Sequence, residues 1–104
     1  VLATFDGPAR AIRCAVRISD EARRGGVDVR CGLHTGEVIR REEGLAGVAV
    51  HIGARICDLA EPGEVLVTRT VRDLVAGSEI EFTDRGEHVL KGVPGTWQVF
   101  TAYA

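Results

Sequence analysis

Three polar side chains fall on one stripe of a predicted helix: His51, Arg55 and Asp58 in Val48-Ala49-Val50-His51-Ile52-Gly53-Ala54-Arg55-Ile56-Cys57-Asp58-Leu59. Each helical residue turns the chain by about 100°, so positions four and three apart line up. Val48, Ile52, Ile56 and Leu59 form an apolar stripe about a quarter turn away. A solvated helix would set its polar residues opposite the core-facing stripe. Here they border it, at a rim that can face a cleft or a subunit interface. Asp58 sits one turn after Arg55, where an ion pair with it is expected.

The elements that must hold this helix are readable on either side of it. Val1–Phe5 reads as a short strand. Asp6-Gly7-Pro8 signals a helix start, a capping side chain followed by a proline suited to the first turn. Ala11, Ala15, Ile18 and Ala22 recur at helical spacing with Arg10, Arg13 and Arg17 outward, and Gly25-Gly26 stops that helix. Residues 27–33 alternate as a strand and continue through His34 to Ile39 with a bend at Gly36; residues 40–47 read as a loop. The helix at 48–60 ends before Pro62-Gly63, Glu64–Val67 is a strand, and Thr68 is placed to cap a short helix over 69–76. Residues 79–84 and 87–90 read as two strands joined by a turn at Arg85-Gly86, and Trp97–Tyr103 as a last strand. The mixture predicts an α+β sandwich, ferredoxin-like, with helices packed on one face of a mostly antiparallel sheet.

Composition excludes several classes. One small domain fits in 104 residues, and a hydrophobic content of 45% is too high for disorder. The net charge of −2 gives no drive toward nucleic acid, and the Arg-rich side of the first helix lacks interleaved aromatics, so it reads as a solvated face. No apolar run is long enough to span a membrane and no signal peptide is visible, so a cytoplasmic location is expected. Cys14, Cys31 and Cys57 are scattered and odd in number, which suits reduced, packed thiols better than disulfides or zinc. His34 reads as a packed, hydrogen-bonded histidine and His88 as a surface one.

Five segments together resemble the catalytic domain of class III adenylyl and guanylyl cyclases, in that family's order and spacing. They are Leu2–Phe5 with the helix after it, Arg30-Cys31-Gly32-Leu33-His34-Thr35-Gly36-Glu37, Gly47–Arg55, Pro62–Val67, and Asp84-Arg85-Gly86-Glu87 with Leu90-Lys91-Gly92. The wording is closest to actinobacterial-type domains, some of which are fused to an α/β-hydrolase domain. The resemblance implies conversion of ATP to cyclic AMP and pyrophosphate at a dimer interface, with Mg2+ or Mn2+ held by two aspartates. The family's transition-state arginine falls on Arg55, and its ribose-steadying asparagine falls on His51, a departure. The purine-selecting acidic position falls on Gly44, with Glu43 one residue away as a substitute. Lys91 matches a lysine that reaches the triphosphate. The metal aspartates and the purine-reading lysine lie before Val1 in the family, so residues 1–104 are expected to be the C-terminal part of a cyclase domain and to hold no metal ligands.

Two functional readings follow, and a third stays beside them. The first is a portion of an adenylate cyclase catalytic domain, inactive alone, that supplies the Arg55 half of a site. A homodimer or strand-exchanged dimer would accompany it. The second is a non-enzymatic cyclase-like module for regulation or dimerisation, favoured by His51 and Gly44. The third is an unrelated ferredoxin-like domain binding a small ligand or RNA, which would show salt-sensitive RNA binding.

Overall fold

The computed structural model describes residues 7–36, 39–41 and 44–104. Its elements are α1 (Pro8–Arg24), β1 (Cys31–Leu33), β2 (Ile39–Arg41), β3 (Gly44–Ala46), α2 (Val48–Leu59), β4 (Val65–Thr68), α3 (Arg69–Leu74), β5 (Glu81–Val89) and β6 (Thr96–Tyr103). Four strands form one sheet in the order β1-β4-β6-β5, and β2 and β3 form a separate two-stranded ribbon. β1 runs parallel to β4, while β4–β6 and β6–β5 are antiparallel. The α+β class and the mostly antiparallel sheet are as the sequence predicts. The expected strand at Val1–Phe5 and the cap at Asp6 lie outside the described residues.

Helices cover both faces of the sheet, where one was expected. β4 is buried at every residue, which is why it reads as an unbroken apolar run. Val65 and Val67 point to one side and pack with Ile12 of α1, Val71 of α3, Phe100 and Ala102. Leu66 points to the other side and packs with Ile52 and Ile56 of α2, Val99, Leu90 and Val93. The period-two alternation of β4 and β6 thus feeds two cores, and α2 lies alone on the second.

Other boundaries shift for local reasons. Only Cys31–Leu33 of the expected 27–39 strand is in the sheet, because β4 begins opposite Cys31; before it, Gly63 donates its N–H to the Val29 carbonyl at 2.7 Å as the chain turns. The segment read as a loop contains the β2–β3 ribbon, with Ile39 opposite Ala46 and Arg41 opposite Gly44. Thr68 makes no side-chain cap to α3; its hydroxyl is hydrogen-bonded to His34 instead. Arg85-Gly86 is no turn but an irregularity within a single strand. β5 pairs with β6 on both sides of it, Asp84 with Phe100 and Glu87 with Gln98. Gly86 there takes φ +86° and donates its N–H to the Asp84 carboxylate at 2.7 Å, which lets the strand bulge and resume. His88 is half-buried beside it, with Nε2 donating to the Arg85 carbonyl at 3.0 Å.

The bulge delivers Arg85 to Glu64, a cluster the sequence did not flag. Arg85 Nε and Nη2 donate to the two Glu64 carboxylate oxygens at 2.7 and 3.0 Å, the Glu61 N–H donates at 2.8 Å, and the Thr101 hydroxyl also donates to Glu64. The Glu64 side chain is only 10% exposed. Burial works to raise its pKa, but the bonds from Arg85, Thr101 and the Glu61 N–H outweigh burial and hold it at about 2. An unfolded glutamate titrates near ~4.3. The folded value is depressed, so the stabilisation is complete above about pH 5 and is lost as pH falls toward about 2. Glu64→Gln is therefore expected to lower unfolding free energy by about 2 kcal/mol at neutral pH. In urea melts the gap to wild type should shrink by more than half by about pH 2.5; a gap unchanged across that range would refute the ionic account.

Candidate active site

α2 places the two residues singled out first. Gly47, at φ +120°, precedes its first turn, and Ala60, in an extended conformation, ends it before Pro62-Gly63. Ile52 and Ile56 are fully buried in the second core and Leu59 is half-buried, so the apolar stripe is real over these three. Val48, the first of that stripe, is 68% exposed, because the helix has not yet reached the sheet there. The polar stripe lies at the edge of the buried face, as the spacing implies.

Arg55 has an unusual environment. Its Nη1 donates to Asp58 Oδ2 at 3.2 Å, while its Nε is buried and has no hydrogen-bond partner among the described residues. A buried donor without an acceptor costs of order 1–3 kcal/mol. The Asp58 contact is an exposed pair worth at most about 1 kcal/mol. The guanidinium is thus held at one end by a weak, displaceable carboxylate and carries an unused donor at the other. An incoming anion could displace Asp58 from the exposed Nη1 end.

His51 lies one turn earlier. Its Nε2 donates to the Lys91 carbonyl at 3.1 Å, which fixes a proton on Nε2. The contact joins α2 to the connection between β5 and β6, forty positions away in sequence. Gly92 sits at the crossing with φ +80°, and a Cβ on it would stand 3.0 Å from His51 Nε2. Leu90 and Val93 on either side are buried in the α2 core, and the Val93 N–H donates to the Leu90 carbonyl at 3.0 Å. The turn is therefore pinned under α2 while the Lys91 side chain stays exposed.

His51, Arg55 and Lys91 are thus brought to one region by α2 and this turn. Gly44 opens β3, and β3 packs against α2; Glu43 lies outside the described residues. His34, just beyond β1, is half-buried with Nδ1 hydrogen-bonded to Thr68 Oγ1 at 2.9 Å, as a packed histidine should be. Burial lowers its pKa. The three cysteines are free and half-buried, less deeply packed than expected, and burial together with the neighbouring Cys57 and Cys14 raises the Cys31 pKa. Among the described residues no group of three or more His, Cys, Asp or Glu side chains is placed to hold a metal ion. Nor is any described helix long and apolar enough to cross a membrane.

Two of these features had no sequence signal sufficient to find them. The His51–Lys91 contact depends on where the β5–β6 turn closes. The unpartnered Arg55 Nε depends on burial, which periodicity gives only as a face.

Residues 11–103 match the family model described as the adenylate and guanylate cyclase catalytic domain. The chain is 34% identical over 96 residues to an uncharacterized protein of Mycobacterium tuberculosis strain H37Rv, covering 89% of this chain and 33% of that protein. It is 27% identical over 110 residues to a Rhizobium meliloti protein provisionally named adenylate cyclase 3, covering 97% of this chain and 19% of the other. Its structure is similar to an adenylate/guanylate cyclase/hydrolase from Silicibacter pomeroyi, with a TM-score of 0.83 at 25% identity over 96% of this chain and 64% of that one. The adenylyl cyclase CyaB from P. aeruginosa shares the fold, with a TM-score of 0.63 at 19% identity over 92% and 55% of the two chains. The chain spans about a third of the length of the mycobacterial protein.

Proposed function

The chain belongs to the adenylate and guanylate cyclase catalytic domain family, and on that premise we propose that residues 1–104 are the C-terminal part of an adenylate cyclase catalytic domain that contributes the Arg55 half of an ATP-cyclising site. The observation that carries the proposal is the Arg55 guanidinium, with a buried unpartnered Nε and a displaceable Asp58 contact. A guanidinium held in a partly dry site stabilises charge that appears at phosphorus in the transition state, where preorganised electrostatics act most strongly. His51 donates from Nε2 and would steady a ribose or phosphate oxygen by exchanging its bond to the Lys91 carbonyl. The Lys91 ammonium, exposed on the turn, would meet the triphosphate as a point charge. Gly44, at the purine-selecting position, would border the base, with Glu43 one residue away as the substitute acid.

The family's metal ions polarise the triphosphate and activate the attacking hydroxyl. By the family resemblance their aspartate ligands would come from another segment or a second protomer. We therefore place the working site at an interface between two copies, in the cytoplasm where ATP is available. The chain alone is expected to turn over no ATP.

One observation favours a non-catalytic, regulatory or dimerising role. His51, at the position of the family's asparagine, is engaged within its own chain by the Lys91 carbonyl. Cyclic AMP production from Mn2+ and ATP decides between the two. The assay uses the polypeptide containing this chain with its flanking residues, alongside Arg55→Ala. Product that collapses in the variant supports the catalytic reading. A folded dimer that makes none sinks it in favour of the regulatory one.

A further inference from the structure

Trp97 is the sole tryptophan of the chain, and it stands between the sheet and the turn that meets His51. It lies on β6, half-buried against the α2 core. Its indole Nε1 donates to the Pro94 carbonyl at 3.3 Å, in the same turn as Lys91. The His34 ring meets it edge to face, with centroids 5.5 Å apart and planes at 86°. His34 is in turn held by Thr68 Oγ1 at 2.9 Å. Gly36 fills the space between His34 and the first turn of α2: a Cβ there would stand 3.7 Å from His34 Nε2 and 3.0 Å from Ala49 Cβ. A continuous set of contacts therefore runs from Thr68 through His34 and Trp97 to Pro94, and within that turn to the Lys91 carbonyl that accepts from His51.

We propose that His34 is a positioning residue: through Trp97 it sets where the Leu90–Pro94 turn, and with it Lys91, stands against His51, and a proton added to His34 releases that turn. The inference rests on reading this region as the candidate site, but its geometry does not depend on the reaction. Thr68 from β4 and Trp97 from β6 meet the ring, and neither carries a charge. Among the described residues of this set of contacts the other ionisable side chains are His51 and Lys91, and neither supplies an anion. An imidazolium between these two partners would lose water without gaining an anion from either. The relaxed arrangement, in which the ring regains water, thus binds the proton more tightly, so acid favours it. The burial that lowers the His34 pKa agrees with this direction.

Trp97 makes the proposal measurable, because a protonated imidazole beside an indole quenches its emission. The test follows Trp97 fluorescence and the Gly92 backbone amide NMR signal of the wild-type chain from about pH 8 to pH 5. Both should show a step at one shared midpoint below the ordinary histidine value of about 6.5. His34→Phe keeps an aromatic edge against Trp97 but cannot titrate, and should abolish the Trp97 step and the component of the Gly92 change that shares its midpoint; a Gly92 component at another midpoint reports His51, which bonds the Lys91 carbonyl. Thr68→Val should shift the shared midpoint. A Trp97 step that survives His34→Phe would overturn the proposal, and so would a Gly92 signal indifferent to the substitution. If His34→Phe does not fold, the wild-type titrations decide: a Gly92 signal with no component at the Trp97 midpoint overturns the coupling. Neither readout uses turnover, so an absence of cyclase activity would sink the functional reading while leaving this one to its own test.

Discussion

In the polypeptide that carries this chain with its flanking residues, the proposed function predicts that Arg55→Ala will cut cyclic AMP formation by about 100- to 1,000-fold in kcat, with KM for ATP changed by less than about tenfold. The asymmetry follows from where the guanidinium acts. On the proposed reading, ground-state triphosphate is already highly charged and would have Lys91 and metal ions to meet it. Charge that appears on passing to the transition state has fewer partners, so losing Arg55 falls mainly on turnover. Folding should be little affected. The lost ion pair with Asp58 is exposed at the carboxylate, which is 66% accessible, and such pairs contribute about 1 kcal/mol or less. The truncation also removes a buried donor that lacked an acceptor. Arg55→Lys should recover little, since an ammonium presents a point charge without the planar fork. The measurement is steady-state cyclase kinetics beside a thermal melt. A kcat within tenfold of wild type would exclude the transition-state role. A collapse of the melting temperature would show that the residue acts on the fold.

Gly32→Ala should be the most disruptive single change in the sheet. A Cβ at Gly32 would meet the backbone N of Cys57, stand 2.6 Å from the Cys57 Cα and 2.8 Å from the Gly53 carbonyl. All three atoms belong to the main chain of α2, so no side-chain rotation relieves the overlap. α2 must lift from β1, opening the second core around Ile52, Ile56 and Leu66. Overpacking of this kind costs about 3 kcal/mol or more. In a domain of this size that is a fall in melting temperature of roughly 15 °C. Gly53→Ala is the control. It is a glycine on the same helix with nothing within 4 Å of its would-be Cβ, so alanine should raise stability by about 0.5–1 kcal/mol through helix propensity. Equal melting temperatures for Gly32→Ala and wild type would show that α2 does not seat on β1 as described.

The sequence by itself determined the elements whose signals are local. The helical periods of Pro8–Arg24 and Val48–Leu59, the apolar run at Val65–Thr68 and the alternation of Thr96–Tyr103 each reflect side chains arranged along one stretch of chain. Five short segments in one order were also enough to point to the family that the match over residues 11–103 shows. The stripe of His51, Arg55 and Asp58 was readable too, because helical spacing alone places residues on a face.

What tertiary structure decided was every feature that depends on partners distant in sequence. Periodicity assigns α2 a buried stripe but not which side of the sheet receives it, and the alternation of β4 is what opened a second core there. Arg85-Gly86 looks like a turn because Gly86 needs positive φ, a requirement that a bulge shares; only the pairing of both halves of β5 with β6 distinguishes them. Thr68 looks like a helix cap, yet His34 claims its hydroxyl. Glu64 and Arg85 look like unrelated charges until the bulge joins them across 21 positions. The joining of Lys91 to His51, and the burial that leaves Arg55 Nε without an acceptor, likewise arise only when α2 and the β5–β6 turn close on the same core. Residue type and spacing fix what a side chain can do. Its partners, and so its energetics, are set by packing between segments that are brought together only by the fold.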